Sequence, residues 1–175
     1  MKGIMLHCGS EAIDRSQLAT LPLPEPKGPR HHIRPVIDEV NEVTDLLSDY
    51  GIKLMTESYG VKSDKDTGMP AQFFGLMELD FSEITNDDYA LTIGLRGSYD
   101  KSISRGLVVG SNVFVCDNLC FSGEISMRTK QTLNINGRIR ELLSSSVAQI
   151  PELAFKQDNR FNRYKEVDVG KHGVD

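Results

Sequence analysis

Two stretches of helical period, 36–50 and 135–150, bracket a run of strand-like segments that no helix interrupts. In the first, Val36, Ile37, Val40, Val43, Leu46 and Leu47 recur at three- and four-residue spacing, so one side of a helix is apolar. Pro35 stands where a first-turn proline belongs, and Gly51 where a C-terminal cap belongs. The other side carries Asp38, Glu39, Glu42, Asp45 and Asp49, which reads as a solvated acidic face. In the second stretch Ile135, Ile139, Leu142, Leu143, Val147 and Ile150 form the stripe, with Asn134 or Asn136 as cap and Pro151 as the stop. Between them lie 52–61, 71–81, 89–98, 107–117 and 123–132, rich in β-branched and aromatic residues. Turn-like breaks at 62–70 and 85–88 separate the first three. In the fourth, Gly110 marks a bulge or a bend between two strand pieces. Strands in sequence without intervening helices pair antiparallel. The expected class is α+β: an antiparallel β-meander sheet with two main helices packed on it.

The ends read differently. A short strand over 2–6 opens the chain. The stretch "LPLPEPKGP" then places prolines at 22, 24, 26 and 29. Each proline fixes φ and removes an amide donor, so 20–35 is expected to be an extended, proline-rich N-terminal arm. Residues 151–175 read as a polar C-terminal tail with a short helix through "ELAF". A chain of 175 residues can bury one proper core, and 1–150 is expected to form a single α+β domain.

Hydrophobic residues at 39% and charged residues at 26% are ordinary for a soluble globular chain. No window approaches the ~18 continuous apolar residues of a membrane span, and the apolar stretch within 1–10 is short for a signal peptide. The expectation is a cytoplasmic protein with no membrane partner. Cys8, Cys116 and Cys120 are too few and too irregular for a disulfide framework. The net charge of −5 disfavours a dedicated nucleic-acid binder, but its distribution is uneven. Residues 36–95 hold 13 Asp and Glu against 3 Lys and Arg, whereas 96–140 hold 7 Lys and Arg against 3 acids. Such asymmetry suggests faces of opposite sign.

Two stretches concentrate reactive side chains. In "VFVCDNLCFSG", residues 113–123, Cys116 is a candidate nucleophile with His7 as base and Asp117 beside it. The acid next to Cys116 works against a thiolate. His7, Cys8, Cys116 and Cys120 together would make a four-ligand zinc set, although Cys-x3-Cys is a weaker pattern than a doubled Cys-x2-Cys. The architectural reading needs less: a buried strand, a turn at Asp117 and Asn118, and a return to the core through Leu119 and Phe121. His31 and His32 add two ligand types in the arm, far in sequence from any other. The second stretch, "LRGSYDKS", packs Arg96, Ser98, Lys101 and Ser102 around Asp100 at a strand end. Hydroxyls, amides and cations suit phosphate binding, although the P-loop order is absent. With Arg105, Arg128 and Lys130 these residues would form a basic face, and Tyr99 and Phe121 would offer stacking surfaces for bases. The plain alternative is a loop held by its own Arg96–Asp100 or Asp100–Lys101 bonds.

"GIMLHCGSEAIDRSQLATLPLPEP", "QFFGLMELDF", "YALTIGLRGSYDKSISRGLVVGSNVFVCDNLCFSGE" and "RTKQT" resemble the phage/plasmid-like proteins, a family of unassigned function encoded by phages and plasmids. The similarity runs from Gly3 to about Leu143. Family members usually carry Asn where this chain has Gly97, and a His-Thr pair where it has Gln131 and Thr132. The resemblance implies a mobile-genetic-element origin and a bacterial host cell, and it brings no reaction. Three functions remain open: handling of single-stranded nucleic acid in replication, recombination or transfer; an interaction module that inhibits a host defence system or enzyme through the acidic helix 36–50; and a thiol- or metal-dependent enzyme. No cofactor is expected.

Overall fold

The computed structural model describes residues 4–81, 89–111, 113–117 and 121–166. In chain order the elements are β1 (Glu11–Ile13), α1 (Arg15–Ala19), α2 (Val36–Asp49), β2 (Lys53–Ser63), β3 (Pro70–Asp80), β4 (Thr92–Ser98), β5 (Arg105–Gly110), β6 (Phe114–Val115), β7 (Phe121–Ser122), β8 (Ile125–Thr129), α3 (Ile135–Ala148) and α4 (Ile150–Glu166). The fold is α+β. Six strands form one antiparallel sheet in the order β1-β2-β3-β4-β5-β8, and β6 pairs with β7 in a separate ribbon.

Helix α2 follows from its stripe. Val36, Val40, Val43 and Leu47 are buried, each contributing about 1.5–3 kcal/mol by leaving water. Its end is a Schellman turn: Gly51 N–H bonds Ser48 C=O and Ile52 N–H bonds Leu47 C=O. Gly51 has φ of 69°, a conformation that costs glycine nothing, and Ile52 and Leu47 are both buried where such turns place an apolar contact. Pro35 precedes the first helical residue rather than occupying it. Helix α3 packs against α2 and β8.

Alternation sorts the strands onto two cores. Phe73, Met77 and Leu79 of β3, Ile93 and Leu95 of β4, and Leu107 and Val109 of β5 face the helices. Phe74 and Val108 face the other way and are covered by Val115 and Phe121, with Ile4, Leu76, Ile103 and Val113 packed around them. The chain 107–117 is thus two pieces: β5 ends at Gly110, and the β6–β7 ribbon folds over the sheet.

Several expectations change. Residues 150–166 form a 17-residue helix rather than a short helix in a tail. Pro151 sits in its first turn, where the missing N–H is harmless, and Ile150, Ala154 and Gln157 are buried. Strand β1 and helix α1 lie where only an opening strand over 2–6 was expected. Asp14 caps α1 in a box with Gln17. Of the expected opening strand, Met5 forms a single parallel bridge to Cys116. The acidic side of α2 is not wholly solvated, since Glu39 is buried and Glu42 half-buried. The break at 85–88 and residues 167–175 lie outside the described residues.

Candidate nucleic-acid interface

The turn after β6 is held from far away. The Asp117 carboxylate accepts the backbone N–H groups of His7 at 2.8 Å, Cys8 at 2.6 Å and Ser10 at 3.2 Å. Burial by itself would raise its pKa. The three amides, with the Ser10 side chain, outweigh that and hold the carboxyl below its ordinary value. Asp117 therefore anchors the N-terminal segment across more than 100 residues, where the sequence suggested a local turn or a catalytic acid. Cys116 is buried, Cys8 is exposed, and His7 reaches Asp117 through its backbone. Asn118 and Cys120 lie outside the described residues. Among the described residues no three His, Cys, Asp or Glu side chains gather as a metal site.

The basic residues divide. Arg105, at 1% exposure, is inside: it pairs with Glu39 and donates to the backbone oxygen of Arg34. Burial, then the neighbouring Arg34 charge, disfavours the guanidinium, and the Asp38 carboxylate works the other way. Arg34 in turn bonds Glu42 at 2.6 Å, and Arg140 bonds the same carboxylate at 2.8 Å. Two of the five carboxylates on α2 are thus engaged internally; Asp38, Asp45 and Asp49 remain exposed. Ser98, fully buried, closes its own loop by accepting from Ile103 N–H and donating to Ile103 C=O. Tyr99 is no stacking platform. It packs on Phe73 at 5.4 Å between ring centres, and its hydroxyl accepts Val36 N–H. Gly97 has no room for a side chain: a Cβ there would lie 2.4 Å from the Phe73 ring.

On the opposite face Arg96 and Arg128 bracket Phe121, their guanidinium carbons 4.5 and 5.8 Å from its ring centre. The register explains this: Arg96 pairs with Gly106, Gly106 with Arg128, and Phe121 lies over Gly106. Arg96 is buried and Arg128 exposed, so Arg128 is the one that meets solvent. Lys130 continues along the same strand, one residue beyond β8.

At that end of the sheet Lys101 and Lys130 come together with Arg30 from the arm. They line a cavity of ≈ 380 Å³, with Ser104, Gln131 and Thr132 also in its wall. No acid stands among its described lining residues, and none of the three cations makes an ion pair among the described residues. Lys101 holds φ at 69°, in a turn closed by Ser102 N–H bonding the Asp100 carboxylate; Ser102 Oγ accepts from Gln72. The expected set of seven thus contributes two residues to this cavity and one, Arg128, to its flank.

Arg30 was missed, and so was the device beside it. His31, at 4% exposure, accepts Lys27 N–H on Nδ1 at 2.8 Å, and its Nε2 lies 3.2 Å from Gln131 Oε1. With Nδ1 occupied as acceptor, the neutral ring carries its proton on Nε2 and donates to Gln131. Burial first, and the charges of Lys101, Lys27 and Arg105, push the His31 pKa down, against the Gln131 bond that raises it. His31 thus latches the arm to the loop after β8 and is not a free ligand. His32 is exposed, 3.5 Å from the Asn136 amide. The signal that could have found this pair was a histidine within a proline arm, which needs partners if the arm is to pack.

No family model, curated protein or solved structure matches the chain. No helix among the described residues is long and apolar enough to cross a membrane.

Proposed function

We propose that the chain handles single-stranded nucleic acid for a mobile genetic element, gripping the phosphate backbone at the end of the sheet where β4, β5 and β8 meet the arm. One observation carries this reading: Arg30, Lys101 and Lys130 converge on a single cavity with no acid among its described lining residues. Cations left unneutralised on a chain of net charge −5 are a local departure from its overall field, and they attract phosphate. Arg128 extends the positive surface along β8, and its guanidinium plane suits stacking on an unpaired base. The resemblance to phage- and plasmid-encoded proteins supplies the setting.

Anisotropy of a fluorescent 30-nucleotide single strand tests it. Binding is expected at low salt and should weaken as salt rises. Three phosphate contacts give a slope of about −2 in log K against log salt, at about −0.7 per contact on single strands. Lys101→Ala, Lys130→Ala and Arg30→Ala should each weaken binding, whereas Lys53→Ala, on β2, should not. No binding at low salt with tens of micromolar protein would end the proposal.

A further inference from the structure

We infer that the Arg30–Lys101–Lys130 cavity is a subsite for a phosphate monoester, such as the terminal phosphate of a strand or the phosphate of a mononucleotide. This deepens the proposed function and rests on it for the strand that would carry the phosphate. Three features separate an end-phosphate site from a backbone track.

The first is convergence. A strand passing through is held by cations spaced along its path, one phosphate at a time. Here three cations line one volume of ≈ 380 Å³, in the range of small-ligand pockets. A phosphodiester brings a single negative charge, whereas a monoester carries about −1.5 to −2 near neutrality and matches a clustered set better.

The second is the orientation of Gln131. Lys27 N–H occupies His31 Nδ1, so His31 Nε2–H donates to Gln131 Oε1. That bond turns the other end of the amide, Nε2, into the remaining donor. Gln131 is 6% exposed and lines the cavity, and its Nε2 has no hydrogen-bond partner among the described residues. A buried donor without a partner is costly, and an acceptor-rich anion in the adjoining cavity is the kind of group that would satisfy it. The relay from Lys27 through His31 excludes the reverse orientation, which would have offered the anion an oxygen.

The third is the wall itself. The hydroxyl residues Ser104 and Thr132 line the same cavity, and phosphate oxygens accept from hydroxyls, amides and cations together. Arg30 brings a planar fork that can bond two phosphate oxygens at once. The exposed Leu133 beside Thr132 offers an apolar rest for the sugar or base attached to that phosphate.

The test compares one ten-nucleotide single strand in three forms: 5′-phosphorylated, 3′-phosphorylated and unphosphorylated, each titrated calorimetrically at fixed salt. Inorganic phosphate and a nucleoside monophosphate are titrated separately. The inference expects one phosphorylated form to bind at least about tenfold tighter than the plain strand. The difference should vanish in Gln131→Glu, which places a carboxylate where the donor stands, while Gln131→Met should lose only part of it. Circular dichroism shows whether each variant folds, and inorganic phosphate competition on the native protein gives the same answer without any substitution. If all three strands bind equally, the subsite is overturned and strand binding stands. If no strand binds but the monophosphate does, and Gln131→Glu abolishes it, the subsite stands and the strand reading falls. If nothing binds, both fall.

Discussion

The proline arm has a cavity on either side, and the two differ in whether their charges are already used. On one side Leu23, Pro24, Glu25 and Lys27 face the β2–β3 turn across a groove of ≈ 660 Å³ that also carries Asp64, Asp66 and Asp100. On the other lies the ≈ 380 Å³ cavity of Arg30, Lys101 and Lys130. The acidic groove is larger, but two of its carboxylates, Asp64 and Asp100, serve the fold. Asp64 accepts from Asp66 N–H, Thr67 N–H and the Thr67 hydroxyl, and Asp100 accepts from Ser102 N–H. The Thr67 amide and hydroxyl hold the Asp64 pKa down; at Asp100 burial works the other way, and the bonds from Ser102 help outweigh it. A carboxylate that closes a turn has little left to offer a ligand. Among the described residues the cations of the smaller cavity make no ion pair, so it is the better candidate despite its size.

Five measurements would break or sharpen this contrast. The largest effect concerns the frame that both cavities share. Arg105→Met leaves the Glu39 carboxylate buried without its partner and should cost about 3–5 kcal/mol in denaturant unfolding. Adding Glu39→Leu should recover much of that loss, because an apolar pair of similar volume replaces the ion pair.

Next comes charge reversal on each side. Lys101→Glu with Lys130→Glu should abolish strand binding in the anisotropy assay. The corresponding double alanine variant should instead flatten the salt slope by about 1.4, for two lost contacts. Asp64→Asn with Asp66→Asn, in the acidic groove, should leave binding within about twofold. Equal effects from the two sides would erase the distinction.

Asp117→Asn keeps the shape but removes the charge that three amides surround, and should cost about 1–3 kcal/mol. Because the folded carboxyl titrates below its ordinary value of 3.8, its stabilising effect is complete above that pH and is lost as pH falls through the folded pKa. Thermal melts of the native protein and the variant should therefore converge under strong acid.

His31 gives a smaller effect at higher pH. Its folded pKa lies below the ordinary 6.5, so the unfolded chain takes up the proton first. Its contribution is present above about pH 6.5 and is lost as pH falls toward the folded value. His31→Gln should remove that part of the melting-temperature profile, leaving the carboxylate step near pH 4 and below.

The smallest effect is the most discriminating. Lys101→Gly relieves a left-handed backbone, and should raise stability by about 0.5–1 kcal/mol while weakening strand binding. A variant both weaker in binding and less stable would show that Lys101 supports the loop rather than a ligand.

Much of the fold was legible from local pattern. The α2 stripe, its glycine end and the antiparallel strands each depend on residues a few positions apart, and they stand where periodicity and turn composition put them. The full length of helix α4, beyond the short helix expected through "ELAF", escaped because its packing residues are few: Ile150, Ala154 and the half-buried Leu153 meet the core and Phe161 stacks on Tyr89 in a stretch otherwise rich in charge. Of the candidate site, Lys101, Lys130 and Arg128 were legible as cations near a sheet end. The burial of Arg105 and Ser98 was not, since the same residue types serve equally well in a binding loop.

The amino-acid sequence by itself determined which segments become helix or strand and which way each turns its apolar side, because those preferences act between near neighbours. Only the tertiary structure decided which charges go inside. Arg105 meets Glu39 across 66 residues, and Asp117 gathers amides from 107 to 110 residues away. His31 finds Gln131 across 100, and Arg30 joins Lys101 and Lys130 through that latch. Charge–charge and amide–carboxylate contacts have no period along the chain. Their partners are chosen when the sheet, the helices and the arm close around them, and the desolvation at that moment selects which ions must be paired and which remain open to a ligand.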